Sequence, residues 1–177
     1  ANRMAAENPK VFVPQQFENE ANPMIHRQQT GIEILEQVAG PIHGFCSGIG
    51  TGGTITGIGE ALKAANPDIT IWAVEPENAA VLAGGAVGTH IQMGIGDGII
   101  PKVLNQNIYE DIVIITDEEA LQTAKDLTRK EGLMCGISSG TNVAAALRLA
   151  KKLGKGKTVV TLLPDTAERY FSTPLFE

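Results

Sequence analysis

The peptide Gly48-Ile-Gly-Thr-Gly-Gly-Thr-Ile-Thr56 constrains this chain more than any other stretch. It follows the apolar run Ile42 to Cys46 and opens a segment of helical period. Glycines let a backbone approach a ligand closely, and the unpaired N–H groups of a helix's first turn, at the positive end of its dipole, favour an anion. The loop therefore reads as a phosphate cup. Its owner is open at this point: a compact monophosphate, a dinucleotide, or no ligand if the glycines only make a turn. Gly48, Gly50 and Gly53 satisfy GxGxxG, and Glu75 ends the apolar strand Ile69 to Val74 close to the ~20-residue spacing at which a dinucleotide fold places its ribose-binding acid. Thr51 and Thr54 argue the other way, because two hydroxyls among the glycines suit a terminal phosphate.

Apolar β-rich runs at Ile42 to Cys46, Ile69 to Val74, Ile112 to Ile115 and Thr158 to Leu163 alternate with helical segments. That alternation predicts an α/β fold, a three-layer αβα arrangement around a mainly parallel sheet. One helix is predicted from Asn22 or Pro23 to Gln37, with Ile25, Ile32, Leu35 and Val38 on a buried stripe. A second spans 53 to 65 and stops before Asn66-Pro67; a third spans 117 to 131, with Thr116 and Glu119 as a capping box and Gly132 as its stop. Between Pro76 and Pro101 stand Gly84, Gly85, Gly88, Gly94, Gly96 and Gly98, too many for a helix or a packed strand. This segment is expected to be a mobile loop near a ligand.

With 177 residues, 43% hydrophobic and 19% charged, the chain has material for one domain with a sizeable core. A net charge of -6, with basic residues scattered apart from Lys151, Lys152, Lys155 and Lys157, argues against a nucleic-acid surface. Those four lysines read as a solvated helix end. Cys46 and Cys135 lack metal or CxxC spacing and read as buried thiols of a cytoplasmic protein. No metal site is expected. His26, His43 and His90 have no carboxylate or nucleophile pattern and read as structural or exposed.

Three further peptides join the loop: Pro14-Gln15-Gln16-Phe17, Gly94-Ile95-Gly96-Asp97-Gly98 and Cys135-Gly136-Ile137-Ser138-Ser139-Gly140. Together they resemble cysteine synthase, the O-acetylserine sulfhydrylase, a pyridoxal-phosphate enzyme of the tryptophan synthase β (fold type II) family. The resemblance runs from Ala1 to the Leu163-Pro-Asp-Thr-Ala-Glu-Arg-Tyr170 peptide; cystathionine synthases match less well at Gln15-Gln16-Phe17. It implies that Gly50, Thr51, Gly52, Gly53 and Thr54 hold the 5′-phosphate of pyridoxal 5′-phosphate. It makes Glu75 a strand-end residue and gives Ser138 the pyridine nitrogen, where the residues alone allow a helix N-cap. Gln16 is implied to hold the substrate carboxylate, and Gly94, Ile95 and Gly96 to close over the substrate amino group. Asp97 departs from the alanine common in the family and adds a negative charge there.

The resemblance further implies O-acetylserine and sulfide as substrates, a homodimer, and in some members the C-terminal tail of serine acetyltransferase as partner. The family's Schiff-base lysine and asparagine loop have no counterpart here, so no catalytic residue is assigned. Residues 1–20 are expected to be the end of the small N-terminal domain. Residues 21–177 are expected to be the large phosphate-binding domain without its first strands, inactive alone. The alternatives are a non-catalytic cofactor- or partner-binding module, a cystathionine β-synthase-like enzyme, and a dinucleotide-dependent oxidoreductase.

Overall fold

Four short parallel strands form the centre of the computed structural model, which describes residues 1–177. β1 (Gly44–Gly48), β2 (Thr70–Pro76), β3 (Asp111–Ile115) and β4 (Val159–Val160) lie in the order β3-β2-β1-β4. All pairings are parallel, and Gly44 aligns with Thr70 on one side and Val159 on the other. Such strands need cover on both faces. Alternation supplies it: Phe45 enters one core and Cys46 the other.

Among six helices, α1 (Asn2–Glu7), α2 (Ala21–Ile25), α3 (Gly31–Gln37), α4 (Gly53–Ala65), α5 (Asp117–Asp126) and α6 (Ile137–Leu153), the last three make that cover. On one face α4 sets Ile55, Ile58 and Leu62 against Phe45, Ile71 and Ala73. Each of these isoleucine, leucine and phenylalanine side chains contributes about 1.5–3 kcal/mol when fully buried. α2 and α3 lie on the back of α4, with Gly57 facing the Pro23 carbonyl and Gly31 facing Ala61. On the other face Ala120 and Ala124 of α5 and Ile137, Ala145 and Leu149 of α6 pack with Cys46, Trp72 and Val74.

Three local expectations change. The helix over Asn22 to Gln37 forms as α2, a π-helical turn at His26–Thr30, and α3. A π turn takes one extra residue and rotates the apolar stripe, so Ile25 and Ile32 are 44% and 41% exposed, while Pro23 and Gly31 are buried. The strand over Thr158 to Leu163 shrinks to β4, because side chains replace its ladder beyond Val160: Thr161 Oγ1 donates to the Cys46 carbonyl at 2.8 Å. Only half of the capping box forms. Thr116 Oγ1 accepts from Glu119 N–H at 3.1 Å, while the Glu119 carboxylate pairs with Arg148; the helix then runs through a π turn, Leu127–Glu131, to Gly132 at φ 72°.

The Pro76 to Pro101 segment is irregular apart from a turn at Glu77–Ala79. It is not loosely tethered. Gln92, fully buried, donates to the Ile115 carbonyl at 3.0 Å and Asp117 Oδ1 at 2.9 Å and accepts from Thr141 Oγ1 at 2.8 Å. Left-handed glycines at 94, 96 and 98 then turn the chain to the end of β1, where Gly96 N–H donates to the Ile49 carbonyl at 2.9 Å.

This topology places a crevice. The chain leaves β1 through α4 on one face and reaches β4 from α6 on the other, so the order reverses between β1 and β4. Open parallel sheets bind ligands outside the carboxyl ends of their strands at such a switch point.

Candidate functional site

A cleft of about 470 Å³ opens at that point, lined by Ser47, Gly48, Gly50, Thr51, Gly52, Thr54, His26, Thr30, Gly94, Ile95, Asn142 and Leu162 to Pro164. The loop that leads into α4 forms its floor. The N–H groups of Gly50, Thr51 and Gly52 donate to no acceptor in the chain, and Gly53 N–H reaches only Thr51 Oγ1, at 3.3 Å. Gly52 holds φ at 78°, which turns these amides into the cleft side of the helix start. A thirteen-residue helix adds its dipole.

Neighbouring segments set the hydroxyls. Asn22 Nδ2 donates to Thr51 Oγ1 at 2.9 Å and to the Gln16 carbonyl at 2.8 Å, which ties Gln16 to the loop although its own side chain is exposed. Gln15 beside it has φ 54°. Thr54 Oγ1 stands 3.4 Å from His26 Nε2, and His26 Nδ1 lies 3.0 Å from Thr30 Oγ1. His26 is structural in that it bridges these two hydroxyls, and from the π turn it also lines the cleft. Burial lowers its pKa, which favours the neutral ring, whose two nitrogens can donate to one hydroxyl and accept from the other. His43 and His90 stay structural: His43 Nδ1 accepts from Thr158 N–H at 3.1 Å, while His90 accepts from Gln92 N–H at 3.2 Å and reaches the Gly96 carbonyl at 3.2 Å.

Gly94 and Ile95 form one wall. A Cβ on Gly50 would collide with the Gly94 carbonyl oxygen, and one on Gly48 would meet Ile95 at 3.0 Å. Asp97 is exposed, yet its Oδ2 lies 3.7 Å from where that Gly50 Cβ would stand, so its charge faces the loop. Gly96 lies behind, against Pro76 and His90.

α6 forms the opposite wall. Gly136 is its N-cap, so Ser138 is not the cap that the residues alone allow. Ser138 sits in the first turn, buried, with its hydroxyl bonded to nothing in the chain, one turn before Asn142 on the same helix face. It is not among the residues lining the cleft floor. The carboxylate of Asp165 reaches the same helix start; its Oδ2 accepts from Tyr170 at 2.5 Å and its Oδ1 has no partner. Asn142 was missed by sequence reasoning. Its carboxamide accepts from Gly48 N–H at 2.7 Å and donates to the Leu162 carbonyl at 2.9 Å.

Glu75 is 3% exposed. It accepts from Leu82 N–H at 2.9 Å and Ala83 N–H at 3.1 Å, which removes the feature that favoured a dinucleotide. Burial raises its pKa and these amides oppose the shift. Glu75→Ala is expected to cost about 1–3 kcal/mol, the penalty of leaving buried amides unpaired, read as a lower urea midpoint. A variant of wild-type stability would show that water satisfies both amides.

The chain matches the pyridoxal-phosphate dependent enzyme family over residues 1–165. It is 49% identical over 166 residues to a cysteine synthase of Staphylococcus aureus, which covers 93% of this chain and 54% of that protein. The chain thus spans about half the length of the curated relatives it matches. Among solved structures, a cysteine synthase from Entamoeba histolytica superimposes with a TM-score of 0.94 at 41% identity, over 99% of this chain and 52% of that one. An O-acetylserine dependent cystathionine beta-synthase from Helicobacter pylori superimposes with a TM-score of 0.95 at 36% identity, over 99% and 57%. No helix is long and apolar enough to cross a membrane. A phosphate-type loop at the switch point of a parallel sheet and a family match across nearly the whole chain agree: this chain belongs to the pyridoxal-phosphate dependent enzyme family.

Proposed function

We propose that this chain is the phosphate- and ring-binding part of a cysteine synthase, the complete protein replacing the acetoxy group of O-acetylserine with sulfide. The observation that carries the reading is the loop Gly50 to Thr54, with three unpaired amides and two threonine hydroxyls at the start of α4. That donor set fits a phosphate dianion. Pyridoxal 5′-phosphate, when bound, supplies the electron sink for loss of the substrate α-proton and the β leaving group.

The chain's own residues then bind, orient and enclose. Gly50, Thr51, Gly52, Gly53 and Thr54 hold the phosphate, and the free hydroxyl of Ser138 takes the pyridine nitrogen. Gln16, tied to the loop through Asn22, holds the substrate carboxylate. Gly94, Ile95 and Gly96 cover the amino group and exclude water. Asp97 places a carboxylate beside this path, and its charge disfavours anions approaching the loop from that side. No lysine lines the cleft. The reading therefore takes the family's Schiff-base lysine from outside these 177 residues and assigns residues 1–20 to the end of a small domain, residues 21–177 to the large one. It extends to a homodimer and, in the complete protein, to the acetyltransferase tail at the cleft.

Titration with pyridoxal 5′-phosphate is expected to show saturable binding to the isolated chain without the visible band of a lysine-bound cofactor, and no cysteine formation. Adding the N-terminal part of the Staphylococcus aureus relative in trans is expected to produce both. Cysteine made by the chain alone would place the lysine within it and overturn this division of labour. Binding that persists with no turnover after complementation would favour a non-catalytic module.

A further inference from the structure

We propose that Asn142 is a spacer inserted into the β1–β4 ladder, a positioning residue that keeps the crevice open where a ligand ring enters. The ladder between these strands is regular at its start: Gly44 and Phe45 align with Val159 and Val160, and Gly44 N–H donates to the Thr158 carbonyl at 3.1 Å. A parallel ladder advances two residues at a time. Continued from Gly44, it would send Leu162 N–H to the Cys46 carbonyl and Gly48 N–H to the Leu162 carbonyl.

Side chains take both places. The Cys46 carbonyl accepts from Thr161 Oγ1 at 2.8 Å. Gly48 N–H and the Leu162 carbonyl, which the ladder would pair directly, are bridged by the two ends of the Asn142 carboxamide at 2.7 and 2.9 Å. A carboxamide carries the donor and acceptor of a peptide group, so it satisfies both strands while adding its own width and a second hydrogen bond between groups that a ladder holds at ~2.9 Å. Asn142 is 2% exposed, and its own carbonyl faces the Cys46 thiol at 3.6 Å, so α6 holds the spacer rigidly against β1. β4 consequently ends at Val160, and the residues beyond the break, Leu162, Leu163 and Pro164, become cleft wall instead of strand.

Asn142→Ala removes the spacer and lets Gly48 N–H reach the Leu162 carbonyl. In the 177-residue chain, the expected result is a new cross-strand nuclear Overhauser contact between the Gly48 amide proton and Leu163 Hα, with pyridoxal 5′-phosphate bound about tenfold more weakly, the order expected for a site distorted by one hydrogen bond's worth of free energy. Asn142→Asp, which keeps the width and the acceptor for Gly48, is expected to keep the strands apart. Should Asn142→Ala fail to fold, Asn142→Ser is too short to span both partners and carries the same expectation. Strands that stay apart in the alanine variant overturn the proposal, and weaker binding without closure assigns Asn142 a contact role instead. The affinity arm rests on the cofactor reading of the cleft; the strand-separation arm needs no ligand, so a wild-type chain that fails to bind the cofactor defeats that reading and leaves the spacer to be decided by the spectra.

Discussion

Gly50→Ala is expected to weaken pyridoxal 5′-phosphate binding by about a hundredfold. The added Cβ would fall inside contact distance of the Gly94 carbonyl oxygen, a backbone atom that cannot rotate away. Relief requires either the loop or the Gly94 turn to move, and Gly96 N–H pins that turn to the Ile49 carbonyl at 2.9 Å. Overpacking of this kind costs about 1–3 kcal/mol. Paid in the geometry of the unpaired amides, ~2.7 kcal/mol corresponds to the hundredfold loss. A fluorescence titration measures it, with thermal unfolding run beside it to separate a distorted cup from a damaged fold. Unchanged affinity would show that the amides of Gly50 and its neighbours do not hold the phosphate.

Gly140→Ala is the corresponding expectation for stability. Here α5 and α6 touch backbone to backbone: a Cβ would overlap the Ala120 carbonyl oxygen and come within 2.8 Å of the Ala124 nitrogen. Both helices contribute to the core on the far face of the sheet, through Ala120, Ala124, Ala144 and Ala145. Small residues at the crossing let the helices approach, and a methyl group must push them apart. A loss of about 2–3 kcal/mol is expected, which for a chain of this size lowers the melting temperature by roughly 4–12 °C. Urea unfolding with an unchanged slope would attribute the loss to the native state. A shift within a degree would mean that α5 slides without cost.

The two glycines show why the motifs were legible and their reasons were not. In GTGGT and GISSG the glycine spacing is visible in the sequence, and together with the other two peptides it carries the family resemblance. Which glycine is required by φ and which by a neighbour is invisible there. Gly52 needs its left-handed φ of 78°; Gly50 and Gly140 have ordinary backbone and are glycine because another segment's carbonyl stands where a Cβ would go. The strands were placed within about two residues at β1, β2 and β3, since buried parallel strands read as apolar runs. β4 was overextended because Thr161 and Leu162 have strand-like character, and only the packing of α6 shows that side chains take over their ladder. The stripe on α2 and α3 was misassigned because hydrophobic period assumes 3.6 residues per turn and a π turn breaks it.

By itself the sequence determined the α/β frame, because hydrophobic period and helix caps are local properties of the chain, while the family followed from the resemblance carried by four short peptides in order. Tertiary structure decided which polar groups meet at the crevice. Asn22 reaches Thr51 across 29 residues, His26 reaches Thr54 across 28, and Asn142 reaches Gly48 across 94. Glu75, an acid at ribose spacing, was turned to the amides of Leu82 and Ala83 by the same long-range packing. The physical reason is hydrogen-bond satisfaction: a buried polar group takes whichever partner the fold brings within ~3 Å, and no local pattern encodes that choice.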